Sequence, residues 1–190
     1  MGLSHSWIAV RGLTREQTLE ALGMDVSDAQ TNLLEGVSLL EWRDDWLVIV
    51  SDDYRNALQG ELAELGQLGT SAVAYGASEE ALYWGACGYE DGSDVWSITV
   101  NPAKQVFRVV GYPPEQLDPL LGQAKAAQAE GTDLFTAIPA VLAESICGFA
   151  LEGDLSAVRH VSLKSTGRPR QKPAASPRKP GLLARIFGRR

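Results

Sequence analysis

Two strand-like runs, Val37-Ser38-Leu39-Leu40-Glu41-Trp42 and Trp46-Leu47-Val48-Ile49-Val50, flank the polar triplet Arg43-Asp44-Asp45. That spacing describes a hairpin with an acidic tip rather than a helix. The second run is almost wholly apolar, so it belongs at the centre of a sheet, buried on both faces.

The rest of the chain extends this reading. Trp7-Ile8-Ala9-Val10 reads as a first strand ended by Gly12. Thr14 follows as the cap of a short helix running to Gly23, with Leu13 outside it and Leu19 and Leu22 on its apolar side. Residues 57–68 place Leu58, Leu62, Leu65 and Leu68 three and four apart, with Gln59, Glu61 and Glu64 off the stripe, which predicts one amphipathic helix. Strand-like runs at 71–75, 81–89, 95–100 and 105–110 follow, and Glu90-Asp91-Gly92-Ser93-Asp94 turns between two of them, as in an antiparallel meander. After Pro113-Pro114, residues 115–131 are rich in good helix formers, residues 139–146 predict a second helix before Gly148, and residues 155–163 read as a last strand or short edge segment. The expected fold class is α+β: a single globular domain, residues 1–163, with a mainly antiparallel sheet covered by about three to four helices and followed by a disordered basic tail.

Charge separates the tail from the body. Residues 164–190 hold nine Lys and Arg and no acid, whereas the first 163 residues hold 8 basic and 24 acidic side chains, a net −16. All five tryptophans lie in the body, where burial of such rings secures a core. Residues 164–180 are Pro-rich and basic and read as a disordered linker; residues 181–190 place Leu182, Leu183, Ile186 and Phe187 on one side of a two-turn helix and Arg185, Arg189 and Arg190 nearer the other. Such a segment is too short to be helical alone in water, so its expected role is weak docking on an anionic membrane or in a protein groove.

Trp7-Ile8-Ala9-Val10-Arg11-Gly12, Val95-Trp96-Ser97 and the stretch from Ile138-Pro139 through Leu142-Ala143 to Gly148-Phe149 resemble a family of uncharacterised bacterial cytosolic proteins. Its members carry a Trp-x-Ala-Val-x-Gly segment, a Val-Trp-Ser strand and an Ile-Pro-x-x-Leu-Ala helix ending at Gly-Phe. The resemblance spans most of the first 150 residues and implies no catalytic residue. Ala150-Leu151-Glu152 stand where the family has Arg-His-Asp.

Catalytic patterns are missing from the sequence. His5 and His160 lie at opposite ends of the body, outside any metal-binding spacing, and Cys87 and Cys147 read as buried free thiols of a reducing compartment. The glycines Gly85, Gly88 and Gly92 open no helix, and Ser97 and Ser145 sit in no nucleophile elbow. No cofactor and no metal are expected. The N-terminal residues lack a secretory pattern and no run approaches the length of a membrane span, so the expected location is the cytoplasm, with weak membrane association through the tail.

What remains is an acidic and aromatic surface. Asp44, Asp45, Asp52, Asp53, Glu79, Glu80, Glu90, Asp91 and Asp94 fall at predicted strand ends, where several can gather on one rim, beside Trp42, Tyr54 and Trp84. Aromatic anchors within a charged surround are the composition of a protein interface, and sheet cores use the same rings. The expected function is a soluble protein-binding or inhibitory protein, immunity-like, that meets a basic protein partner and no specific nucleic acid. The alternatives are a small carboxylate- or cysteine-dependent hydrolase and a non-catalytic scaffold recruited by the tail; the oligomeric state is left open.

Overall fold

The computed structural model describes residues 4–29, 31–151 and 158–167. They form a single α+β domain around one nine-stranded sheet. The strands are β1 (Ser4–Arg11), β2 (Met24–Val26), β3 (Val37–Trp42), β4 (Trp46–Ser51), β5 (Ser71–Ser78), β6 (Tyr83–Glu90), β7 (Ser93–Asn101), β8 (Val106–Gly111) and β9 (His160–Ser165). Their order is β2-β9-β3-β4-β1-β5-β6-β7-β8, and every pairing is antiparallel.

Alternation along the strands builds two cores. In β1, Trp7 and Ala9 face one side while Ile8 and Val10 face the other, and all four are essentially inaccessible to water. On the Trp7 side the sheet is covered by α4 (Leu117–Ala129) and α5 (Ile138–Cys147), through Leu117, Ala124, Ile138 and Leu142. On the Ile8 side lie α1 (Arg15–Leu22), α2 (Asn56–Gln59) and α3 (Ala63–Gly66), which contribute Leu22, Ala57 and Leu65. β4 lies between β3 and β1 with all six residues buried, as its unbroken apolar run requires. Each large side chain so buried is worth about 1.5–3 kcal/mol.

Local signals explain the helix ends. Thr14 caps α1 and exchanges hydrogen bonds with Gln17 in a capping box, and Gly23 closes the helix in the left-handed conformation. α5 carries Pro139 in its first turn and ends at Gly148, φ 68°, where the Arg43 guanidinium donates to the Gly148 carbonyl at 3.1 Å. Beyond it Phe149 is fully buried and meets Trp7 and Trp42 edge to face, at 5.2 and 5.4 Å between centroids. Residues near the two ends of the folded body therefore meet in the core.

Two expectations are corrected. Residues 57–68 do not form one helix: α2 and α3 are separate single turns broken at Gly60, which is extended, φ −97° and ψ −153°. The Asn56 side chain causes the break by accepting from the backbone N–H of Glu61 (2.9 Å) and Leu62 (3.3 Å), so the chain restarts instead of continuing. The leucine stripe survives the break, since Leu62 and Leu65 are fully buried. The second correction concerns the last strand. β9 is not an edge, because β2 pairs along its outer side through Met24, Asp25 and Val26.

β9 runs two residues past Leu163, with Lys164 bonded to Asp28 at 3.0 Å and Thr166 bonded to the Gly23 carbonyl through both its N–H and its hydroxyl. Residues 168–190, which include every proposed tail-docking side chain, lie outside the described residues.

Candidate functional site

The acidic candidates do not gather on one rim, because antiparallel pairing sends consecutive turns to opposite ends of the sheet. Asp44 and Asp45 form the β3–β4 turn, both at positive φ, and Glu90, Asp91 and Asp94 flank the β6–β7 turn at the same end. β1 and β5 separate those two turns. Asp52, Asp53, Glu79 and Glu80 lie at the other end, beyond the ends of β4 and β5.

At that second location two segments distant in sequence come together. Tyr54, behind Asp52 and Asp53, packs on Tyr83, behind Glu79 and Glu80, with 5.6 Å between ring centroids. Glycine allows it: a Cβ on Gly76 would collide with the Tyr54 carbonyl, and its cross-strand neighbour Gly85 lies against the Tyr83 hydroxyl. The 52–55 turn is further pinned by Ser6, whose hydroxyl donates to the Asp53 carbonyl at 2.6 Å and accepts from the Ala57 N–H. Asp52 accepts from the Gly36 N–H and Asp53 from that of Arg55, while both side chains stay exposed. Leu82, at φ 47°, is presented to solvent on the neighbouring loop.

Tyr83 also begins a groove. About 380 Å³ of open volume lies over β6 and β7 on the Ile8 side of the sheet, between Leu58 and Gln59 of α2 and Val110 and Gly111 of β8. Its floor presents Tyr83, Cys87 and Tyr89 from β6 and Ser97 and Thr99 from β7, alternate residues whose side chains share one face. The groove runs along β6 from the Tyr54–Tyr83 contact to Asp94 at the far mouth.

Burial keeps this floor neutral; Asp94 lies at one mouth, and at the other Arg55 pairs with Asp53 at 3.5 Å and stacks over the Tyr54 ring. Burial pushes the Cys87 thiol up to about 11, against the opposing Tyr89 hydroxyl, which receives the thiol proton at 3.5 Å. Burial raises the Tyr89 and Tyr83 phenols as well. Four hydroxyls and a thiol are therefore uncharged near pH 7, able to donate and accept hydrogen bonds but not to act as a preformed thiolate. Cys147, in α5 on the opposite side of the sheet, is likewise pushed up to about 11, chiefly by burial. His160 bonds through Nε2 to the Thr31 carbonyl at 3.1 Å. Among the described residues no group of three or more His, Cys, Asp and Glu side chains is arranged to hold a metal ion.

The remaining candidates have other surroundings. Trp42 and Trp84 are half-buried and pack on the core of the Trp7 side, away from the groove. Asp44 and Asp45 flank a cation–aromatic stack in which Arg11 lies 4.5 Å over Trp46 and donates to the Asp44 carbonyl. Cys87, Ser97 and Thr99 had no place in the predicted interface, although polar residues at every second position of otherwise apolar strands are the trace such a floor leaves. No family model, curated protein or solved structure matches the chain.

Proposed function

We propose that this chain is a non-catalytic protein-binding domain that takes an extended, basic polypeptide segment into the β6–β7 groove. The Tyr54–Tyr83 contact carries the reading, because it joins two acid-bearing loops at one mouth of a groove whose other mouth is Asp94. An extended segment would place backbone amides over the neutral hydroxyl floor and cationic side chains at the two acidic mouths. The strongly acidic body supports the same polarity by steering a cationic partner and repelling nucleic acid. Both cysteines are unpaired, which supports a reducing compartment such as the cytoplasm.

A fluorescent Lys/Arg-containing peptide of extended design, titrated against the chain with amide chemical shifts followed in parallel, tests this. Saturable binding with shifts at Tyr83, Cys87, Ser97 and Thr99 is expected, weakening as salt shortens the screening length from about 10 Å at 0.1 M to about 3 Å at 1 M. Binding that is indifferent to Glu80→Lys combined with Asp94→Lys, or that perturbs other strands, would overturn the reading.

A further inference from the structure

The groove leaves the outermost strand unexplained. β8 is six residues long and, among the described residues, pairs with β7 on one side only and ends the sheet. It and the residue after it hold four of the eight exposed large apolar side chains among the described residues: Val106, Val109, Val110 and Tyr112, the last two 46% and 77% accessible. An exposed β-branched edge is a template for another strand unless charge, proline or shortness blocks it. The opposite edge is blocked in that way, since β2 is only three residues long and has Asp25 at its centre.

Hydrogen-bond direction shows what the open edge offers. The Tyr112 N–H donates to the Val95 carbonyl, so with Val95 opposite Tyr112 the bonded pairs across β7–β8 continue through Val110, Arg108 and Val106. Phe107, Val109 and Gly111 alternate with them and point their N–H and C=O groups away from the sheet. These three positions are symmetric about Val109. That is the requirement for a strand to pair with a second copy of itself across a two-fold axis.

We infer that β8 pairs antiparallel with β8 of a second copy, centred on Val109, to give one continuous sheet across a homodimer. In this register Phe107 stands opposite Gly111 of the other copy and Val109 opposite itself. On the groove side Arg108 stands opposite Val110. Moving the centre by one residue, to Arg108, would set Arg108 against its own image and lose the match of outward-pointing groups.

Charge selects the same surface. The first 163 residues carry −16, so two copies repel over most approaches, but residues 95–114 contain no acid and include Lys104 and Arg108. β8 lies inside that acid-free stretch, the longest in the body, and is where two acidic molecules meet at least electrostatic cost. The two-fold axis stands perpendicular to the sheet, so both grooves remain on one face, flanking the seam. One strand pair is a small contact, and the dimer is reversible and concentration-dependent.

Sedimentation of the full chain over a wide concentration range tests the pairing. A monomer–dimer equilibrium is expected. Val109→Lys sets two ammonium groups against each other on the axis and is expected to weaken the dimer at least about tenfold. Val110→Glu places a carboxylate opposite Arg108 of the other copy twice per dimer and is expected to tighten it, a gain that misfolding cannot mimic. A chain that stays monomeric at its highest soluble concentration overturns the inference. So does a dimer that neither substitution changes while circular dichroism shows the fold intact.

Discussion

The centre of the sheet and its β8 edge use the same residue types to opposite ends. In β4, β1 and β5 the valines, isoleucines and tryptophans are buried on both faces, whereas the valines of β8 are exposed on both. β-branched side chains therefore do not by themselves mark a core; their neighbours across the sheet decide. The sharpest way to break the comparison is to truncate the same kind of side chain in both places. Ile8→Ala, at a site with no accessible surface, is expected to cost about 2–5 kcal/mol in denaturant unfolding. Val109→Ala, measured at a dilution that keeps the chain monomeric, is expected to change stability by no more than about 0.5 kcal/mol. Equal losses would mean that the edge is packed like the core.

Within the centre itself, Gly76 of β5 is buried but reserved for backbone contact rather than side-chain packing. Gly76→Ala drives a methyl group into the Tyr54 carbonyl, with an expected cost of about 1–3 kcal/mol in thermal or chemical unfolding. Because that carbonyl belongs to the loop holding Asp52 and Asp53, the same substitution should weaken binding of the basic peptide at temperatures where the chain is still folded. Full stability with full binding would mean that the Tyr54 loop does not rest on β5.

The sequence showed the centre of this molecule better than its margins. The unbroken apolar run 46–50, the capping box after Thr14 and the Asp91-Gly92 turn carry their meaning within a few residues, and each lies where it was expected. The break at Gly60 was not legible, because it depends on the Asn56 side chain winning a local competition with the helix. β2 was not legible at all: three residues hold no periodicity, and its partner β9 lies about 140 positions away. The acidic candidates were correctly placed at strand ends, but which end each one occupies follows only from the topology. The same margin gives the third prediction. Ending the chain after Gly167 keeps all pairing between β9 and β2, whereas ending it after Leu163 removes the partners of Met24 and Asp25, the Lys164–Asp28 pair and the bonds to Gly23. The shorter chain is expected to lose about 1–2 kcal/mol relative to the longer one, and equal melting temperatures would show that β2 contributes nothing.

An effect confined to one pH window comes from His5, the one imidazole built into the buried part of β1. The residue is 1% accessible, its ring lies 5.8 Å from the Tyr75 ring, and among the described residues neither ring nitrogen has a hydrogen-bond partner. Burial holds its pKa below the ordinary 6.5. Above pH 6.5 the imidazole is neutral in both folded and unfolded chains, so the full stability is present. As pH falls below 6.5 the unfolded chain takes up a proton that the folded chain refuses, and stability declines until pH reaches the lowered folded value. The slope within that window is bounded by about 1.4 kcal/mol per pH unit for one proton. His5→Leu removes a ring that satisfies no hydrogen bond, so it should leave stability at pH 7.5 nearly unchanged while flattening the fall between pH 6.5 and 5. Denaturant midpoints for both chains across that interval check it: parallel curves would mean that the His5 ring reaches solvent or a partner in the folded protein.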